Sequence, residues 1–367
     1  MAKCYLCGDE LTQSNMSDEH IIINGIGGRL KSADLLCATC NSKLGNKSDS
    51  VLSEDLKFFV EMFQVQKQRN KELKGIVMKD QDGDEIIVRN GGYDLELRKP
   101  KIEVHPEKDG VTPIHIKARN QKELDNILNG LSAKGVLKQE DVKKILSEAK
   151  VTEDRKPLQG AITIREEAFP SIVKTVVNFM VYKKGSFDNI DNIRPYIWGD
   201  KDCQEVLRLA VLPEFRLCPD YDSLYHTIKI CGSEGQGLIG LFEMFNTYAY
   251  AVVLDKNYKG EPIDECYCFD VVNTRIVDHN PVIALTNDSI ENANSRFHSN
   301  PNEVWDEMKW RMDRVMGLKD NRDRKAEIES VIDDVLGSLP PGSVITEDII
   351  NQLSTQIVDK VVKPRLK

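Results

Sequence analysis

The sequence predicts an α+β protein: a small metal-bound module at the N-terminus, then a larger mixed region with a mostly antiparallel sheet. Three observations predict it. Two CxxC pairs, Cys4/Cys7 and Cys37/Cys40, open the chain. Four β-rich runs follow one another at "YHTIKIC", "GLIGLFEMF", "TYAYAVVLD" and "CYCFDVV", each short enough for a strand and bounded by turn residues. "FPSIVKTVVNFMVYKKG" reads as a helix, with Pro170 in its first turn and Gly185 just past its end.

Each CxxC is a turn that can point two thiolates at one ion, and two such turns complete a tetrahedral zinc site. Cys4 lies too near the start for a thioredoxin-like redox motif, which needs a strand before it. About fifty residues make too small a core to fold well alone, and structural zinc at Cys4, Cys7, Cys37 and Cys40 supplies the missing stability. Between the pairs stands "SDEHIIINGIGGRL", in which Asp18, Glu19 and His20 precede an apolar run and Gly27-Gly28. Burial explains the isoleucines and a turn explains the glycines, but neither explains three adjacent titratable groups at the mouth of a strand.

Taken in order, "CYLC…DEHIIINGIGG…LLCATCNSKLG" resembles the HNH endonuclease family, in the branch whose ββα-metal finger carries a Cys4 zinc knuckle. The resemblance covers about residues 4–49 and implies hydrolysis of phosphodiester bonds in DNA. It makes His20 the general base, and Glu19 and Asn41 ligands of one catalytic Mg²⁺ or Mn²⁺, with Asp18 the fallback ligand. The chemistry fits. A near-neutral imidazole can take a proton from water, and a hard cation prefers carboxylate and amide oxygens. Arg29 and Lys31 are candidate phosphate contacts. Two positions depart from the family pattern: Ile23 replaces a proline, and Asp34 stands where an asparagine orients the histidine. Asp34 therefore becomes a second catalytic candidate, an acceptor that could raise the basicity of His20. Neighbouring residues on a regular strand face opposite ways, so Glu19 and His20 share one phosphate only if the strand bends or ends there.

Further along, "VLSEDLKFFVEMF" puts Leu52, Leu56, Phe59, Val60 and Phe63 on one helical stripe. Lys67, Arg69, Lys71 and Lys74 then read as a solvated basic face. Asp82-Gly83 marks a hairpin, and Asp80, Asp82 and Asp84 belong to its turn rather than to a calcium loop. "YDLELRKPKIEVHP", "PIHIKAR" and "AITIREE" read as strands, and residues 120–150 as two short helices. "GSEGQG" is a loop between strands. Cys266 and Cys268 alternate on one strand as packed thiols. His105, His115, His226, His279 and His298 read as ordinary surface or core residues. The last region is helical, and Trp305 and Trp310 read as core. The expected division is 1–56, 57–155, 156–290 and 291–367.

The chain has 367 residues and a net charge of −9, which opposes a loose DNA-coating role and suits a nuclease that is recruited or switched on. No apolar run approaches the length of a membrane span, and "MAKCYLCGDE" lacks the apolar core of a signal peptide, so a reducing cytoplasm is expected. Beyond residue 60 a looser resemblance to bacterial HNH proteins implies an effector in phage defence, with a short Argonaute among the conceivable partners and oligomerisation open. The competing reading is a non-catalytic zinc finger that binds nucleic acid or a partner protein. Residues 1–50 hold five Lys/Arg and six Asp/Glu, so the finger is not basic, and this favours catalysis over binding.

Overall fold

The computed structural model describes residues 2–68, 73–106, 114–148, 156–220, 222–340 and 342–363. It is a mixed α+β structure whose paired strands are antiparallel. The residues group into two compact units, one of 1–53, 66–68 and 165–367, the other of 54–65 and 69–164.

In the first unit the N-terminal finger is built from β1 (Glu19–His20), β2 (Lys31–Ser32), α1 (Ala38–Gly45) and α2 (Ser48–Asp55). Glu19 pairs with Ser32 and His20 with Lys31. Between the strands a 3₁₀ turn at Asn24–Ile26 ends on Gly27 at φ +97°, a conformation glycine adopts without penalty. At Gly28 a Cβ would come 1.8 Å from the Ile22 carbonyl oxygen, so the glycine pair serves one positive φ and one close backbone approach. Ile21, Ile22, Ile23 and Ile26 are buried with Leu35, Leu36 and Leu44, which is the finger's own small core.

The second unit opens on α3 (Lys57–Met62). The expected stripe is present: Leu52, Leu56, Phe59, Val60 and Phe63 are all buried, though the helix breaks at Leu56. Then β3 (Ile76–Lys79), β4 (Glu85–Arg89) and β5 (Asp94–Leu97) form a three-stranded sheet, and β6 (Lys101–Val104) pairs with β7 (Ile114–Lys117). Helices α4 (Gln121–Ala133) and α5 (Gln139–Glu148) follow. Asp82-Gly83 is the hairpin turn, and Asp80 Oδ1 accepts the amides of Asp82 and Asp84. Lys117 and Lys156 hold the Asp82 carboxyl down at about 2. "AITIREE" is not a strand: 160–165 is irregular and leads to a 3₁₀ turn at Glu166–Ala168. Ile162 and Ile164 alternate, but alternation makes a strand only where a neighbouring backbone is free to pair, and among the described residues the β-bridge here is Lys79 with Gln159. Of the expected basic face, Arg69 and Lys71 lie outside the described residues, as does part of the expected boundary near 150–160.

The first unit resumes with α6 (Phe169–Lys184), closed by Gly185 in the left-handed region, and α7 (Ile190–Trp198). Strands β8 (Leu207–Leu209), β9 (Tyr225–Ser233), β10 (Gly237–Met244), β11 (Tyr248–Asp255), β12 (Ile263–Asp270) and β13 (Arg275–Val277) form one sheet in the order β13-β12-β9-β10-β11-β8. Helix α6 crosses β9, β10 and β11. It comes so close that a Cβ on Gly240 would meet Val176 Cγ1 at 2.1 Å. On the other face Ile239, Leu241, Ala249, Ala251 and Val253 join Leu212, Phe215 and Leu217 in one core with Ile290, Ala293 and Val304, from α8 (Asn287–Ser299) and α9 (Pro301–Gly337). The central strands are covered on both faces, and β10 and β11 are accordingly almost wholly apolar. Trp305 corrects the expectation for the last region, being 69% exposed, because its place on the long α9 turns it away from the sheet. Trp310 lies under the Arg216 guanidinium, 3.6 Å from ring centre to carbon. The last helix is α10 (Glu347–Ile357). No helix among the described residues is long and apolar enough to cross a membrane.

Candidate active site

The four finger cysteines converge. Their sulfurs lie within 4.8 Å of one another, with Cys7 and Cys37 Sγ 3.7 Å apart. A zinc–sulfur bond of about 2.3 Å in a tetrahedron sets neighbouring sulfurs about 3.8 Å apart, so the cluster is of the right size to hold zinc. The turn is self-supporting: Cys37 caps α1, its Sγ accepting the Cys40 amide. Burial pushes the Cys7 thiol up to about 11 and the Cys40 thiol higher still, so these two become ligands only when a cation draws their protons off. Burial acts the same way on Cys37, but hydrogen bonds from the Cys40 amide and from the Cys40, Cys7 and Cys4 thiols together outweigh it and leave that thiol below its ordinary value.

Glu19 and His20 stand at the end of β1, which is only two residues long. Glu19 is buried at 3% exposure and His20 is half-buried. The His20 Nε2 lies 3.1 Å from Gln68 Oε1, and the Gln68 amide in turn donates to Asn24 Oδ1. Burial, the largest influence, lowers the imidazole pKa despite the Gln68 contact, so His20 is neutral at neutral pH. Gln68 is the hydrogen-bond partner of the His20 ring. Asp34 is exposed, its amide donates to Ser32 Oγ, and no hydrogen bond joins it to His20 among the described residues. Asn41 Nδ2 donates to Ser17 Oγ at 3.1 Å, leaving its Oδ1 as an acceptor. Arg29 donates to the Gln66 carbonyl. Lys31 and Asp18 form a partly exposed ion pair at 3.4 Å.

The sequence gives less warning of what lies behind Glu19. Helix α6 sends Ser171, Lys174 and Asn178, all fully buried, into the finger. Lys174 Nζ donates to Glu19 Oε1 at 2.7 Å and Asp49 Oδ2 at 2.6 Å. Ser171 Oγ donates to Asp49 Oδ1 at 2.6 Å. Asn178 Nδ2 donates to Glu19 Oε1 and to the His20 carbonyl, each at 3.1 Å, and Tyr5 donates its hydroxyl to Asn178 Oδ1. One ammonium is thus shared by two carboxylates. Burial alone would lower the Lys174 pKa, but Asp49 and Glu19 hold it above its ordinary value. Burial raises the Glu19 carboxyl, and Lys174 pulls it part of the way back. Both Glu19 hydrogen bonds fall on Oε1, so Oε2 is the oxygen a hard cation would take. A signal for this network does exist in the sequence: Ser171, Lys174 and Asn178 fall at i, i+3 and i+7 inside an otherwise apolar helix, which is a polar stripe.

Three further contacts join the finger to the rest of its unit. Arg194 donates to the Tyr5 carbonyl, Lys47 to the Trp198 carbonyl at 2.9 Å, and His226 on β9 pairs through Nε2 with the Ile26 carbonyl at 2.9 Å.

Residues 4–57 match the family model of HNH endonucleases. No curated protein matches the chain, and no solved structure does.

Proposed function

Because the chain carries an HNH endonuclease domain at residues 4–57, we propose that it is a metal-dependent endonuclease acting on DNA, with His20 as general base. The observation that carries this reading is His20 itself, neutral through burial, fixed by Gln68 at the end of β1 and next to a buried carboxylate. With Gln68 Oε1 as acceptor, Nε2 keeps the ring proton and Nδ1 is the lone pair that takes a proton from water. Glu19 Oε2 and Asn41 Oδ1 would hold one Mg²⁺ or Mn²⁺, and these hard oxygens fit such a cation. When bound, the metal supplies charge neutralisation at the phosphate and at the leaving oxygen. Lys174 fixes the Glu19 carboxylate and reduces the negative charge the site would otherwise carry. Arg29 and Lys31 are the phosphate contacts, the Cys4 cluster holds structural zinc, and Asp34 is a secondary candidate whose exposed position favours substrate contact over support of His20. The large region beyond the finger and the acidic balance support a regulated effector, of the kind a phage-defence system would use with a companion protein.

The test is cleavage of supercoiled plasmid by the purified zinc-loaded chain, with and without Mg²⁺. Nicked or linear product is expected only with the metal, and His20→Ala is expected to lower the rate about a hundredfold or more. Equal cleavage by His20→Ala would overturn the mechanism. Binding without turnover under all these conditions would favour the non-catalytic finger.

A further inference from the structure

Three metal-ligating side chains meet on the β6–β7 pair of the second unit. Glu103 stands directly opposite His115 in the ladder, and His105 follows Glu103 by two residues, so alternation brings all three to one side of the ribbon. Ile102, Val104, Ile114 and Ile116 take the other side. One carboxylate oxygen and one ring nitrogen from each histidine all lie within 4.8 Å of one another, and the two imidazoles meet edge to face with centroids 5.3 Å apart.

We propose that Glu103, His105 and His115 form a second metal site, for a borderline dication of the zinc class, with water completing the coordination shell. Bonds of about 2.0–2.2 Å from nitrogen and oxygen to zinc place tetrahedral ligands about 3.4 Å apart. All three side chains are exposed, so they can close the remaining distance of roughly 1 Å by rotating about their side-chain bonds. Two imidazoles select against magnesium and calcium, which take oxygen ligands. The nearby turn acids differ in kind: Asp80, Asp82 and Asp84 offer only oxygen, and Lys101, Lys117 and Lys156 already neutralise Asp82 and Asp84. Lys101 also reaches Glu103 Oε1 at 3.1 Å, and its 3.2 Å contact to Asp84 keeps it partnered when a metal takes that carboxylate. A two-stranded ribbon is marginal by itself, and a metal bound across it would lock the register.

The experiment is a Co²⁺ titration of the full chain already loaded with zinc, followed by visible and near-ultraviolet absorption. The expected result is uptake with d–d bands and no thiolate charge-transfer band, one equivalent of it beyond whatever the Glu19–Asn41 pair of the finger takes. His105→Gln and His115→Gln, both surface changes, should each weaken that uptake by more than about tenfold, since losing only the hydrogen-bond partner of a ligand already costs that much. Three results would overturn the proposal: no uptake without thiolate bands, uptake unchanged in the two variants, or loss of uptake only in Asp82→Asn. Each readout compares variants with the parent chain, so it stands whether or not the finger cleaves DNA.

Discussion

Lys174 shows how much one side chain can decide. It is 1% exposed along its side chain, and its ammonium is the cation between Glu19 and Asp49. A buried carboxylate pair without that cation carries uncompensated charge, and removing one partner of such a group costs about 3–5 kcal/mol. Lys174→Met should therefore lower the unfolding free energy by that amount, read from urea denaturation, with Lys183→Met on the exposed end of the same helix as a near-neutral comparison. A loss below about 1 kcal/mol would show that water reaches Glu19 and Asp49 and that the network is not buried as described. Glu19 is the residue to whose sequence reading the structure adds most. As part of "DEH" it reads as a metal ligand, and its side chain is also the anchor of α6, a contact that only a fold bringing residues 155 positions apart together can make.

Between elements, His226 is the instructive contact. It joins the middle of the large sheet to the 3₁₀ turn of the finger, with Nε2 on the Ile26 carbonyl and Nδ1 accepting the Phe245 amide. Nδ1 can accept only when the ring is neutral. Complete burial pushes its pKa down to about 4 from 6.5. The unfolded chain then binds a proton between those values that the folded chain refuses, so this stability is fully present above about pH 6.5 and is lost as pH falls toward 4. Its size is about 3 kcal/mol. Denaturation at pH 7 and pH 4.5 should show the loss, and His226→Gln should remove that part of the slope while the carboxylate contribution persists. The element predictions from sequence fared according to length and neighbours. Helix α6 and strands β9 to β12 were legible because their periodicity runs over eight residues or more with clear stops. "AITIREE" misled because four alternating residues do not reveal whether an edge is available to pair with them.

At the scale of the molecule, the finger stands or falls with its cysteine cluster. Its core of isoleucines and leucines is small, and binding energy of about 10 kcal/mol or more is typical of structural zinc in modules this size. Chelation of zinc is expected to abolish plasmid cleavage and to raise amide exchange across residues 4–45. Strands β9 to β11, buried on both faces by α6 on one side and α8–α9 on the other, should keep their protection. Uniform loss of protection through the sheet would mean that the two parts of this unit unfold as one.

What the sequence determined by itself was local chemistry: two CxxC turns, "DEHIII" with its glycine pair, Asn41 after the second turn, and the period of each long helix and strand. These are short-range properties, fixed by the spacing of neighbouring residues and the stereochemistry of the backbone. What tertiary structure decided was partnership. The meeting of Lys174 with Glu19 and Asp49, of Gln68 rather than Asp34 with His20, of His226 with Ile26, and of His105 with His115 depends on which surfaces pack together. Packing is set by the whole hydrophobic core at once, so no window along the chain contains it.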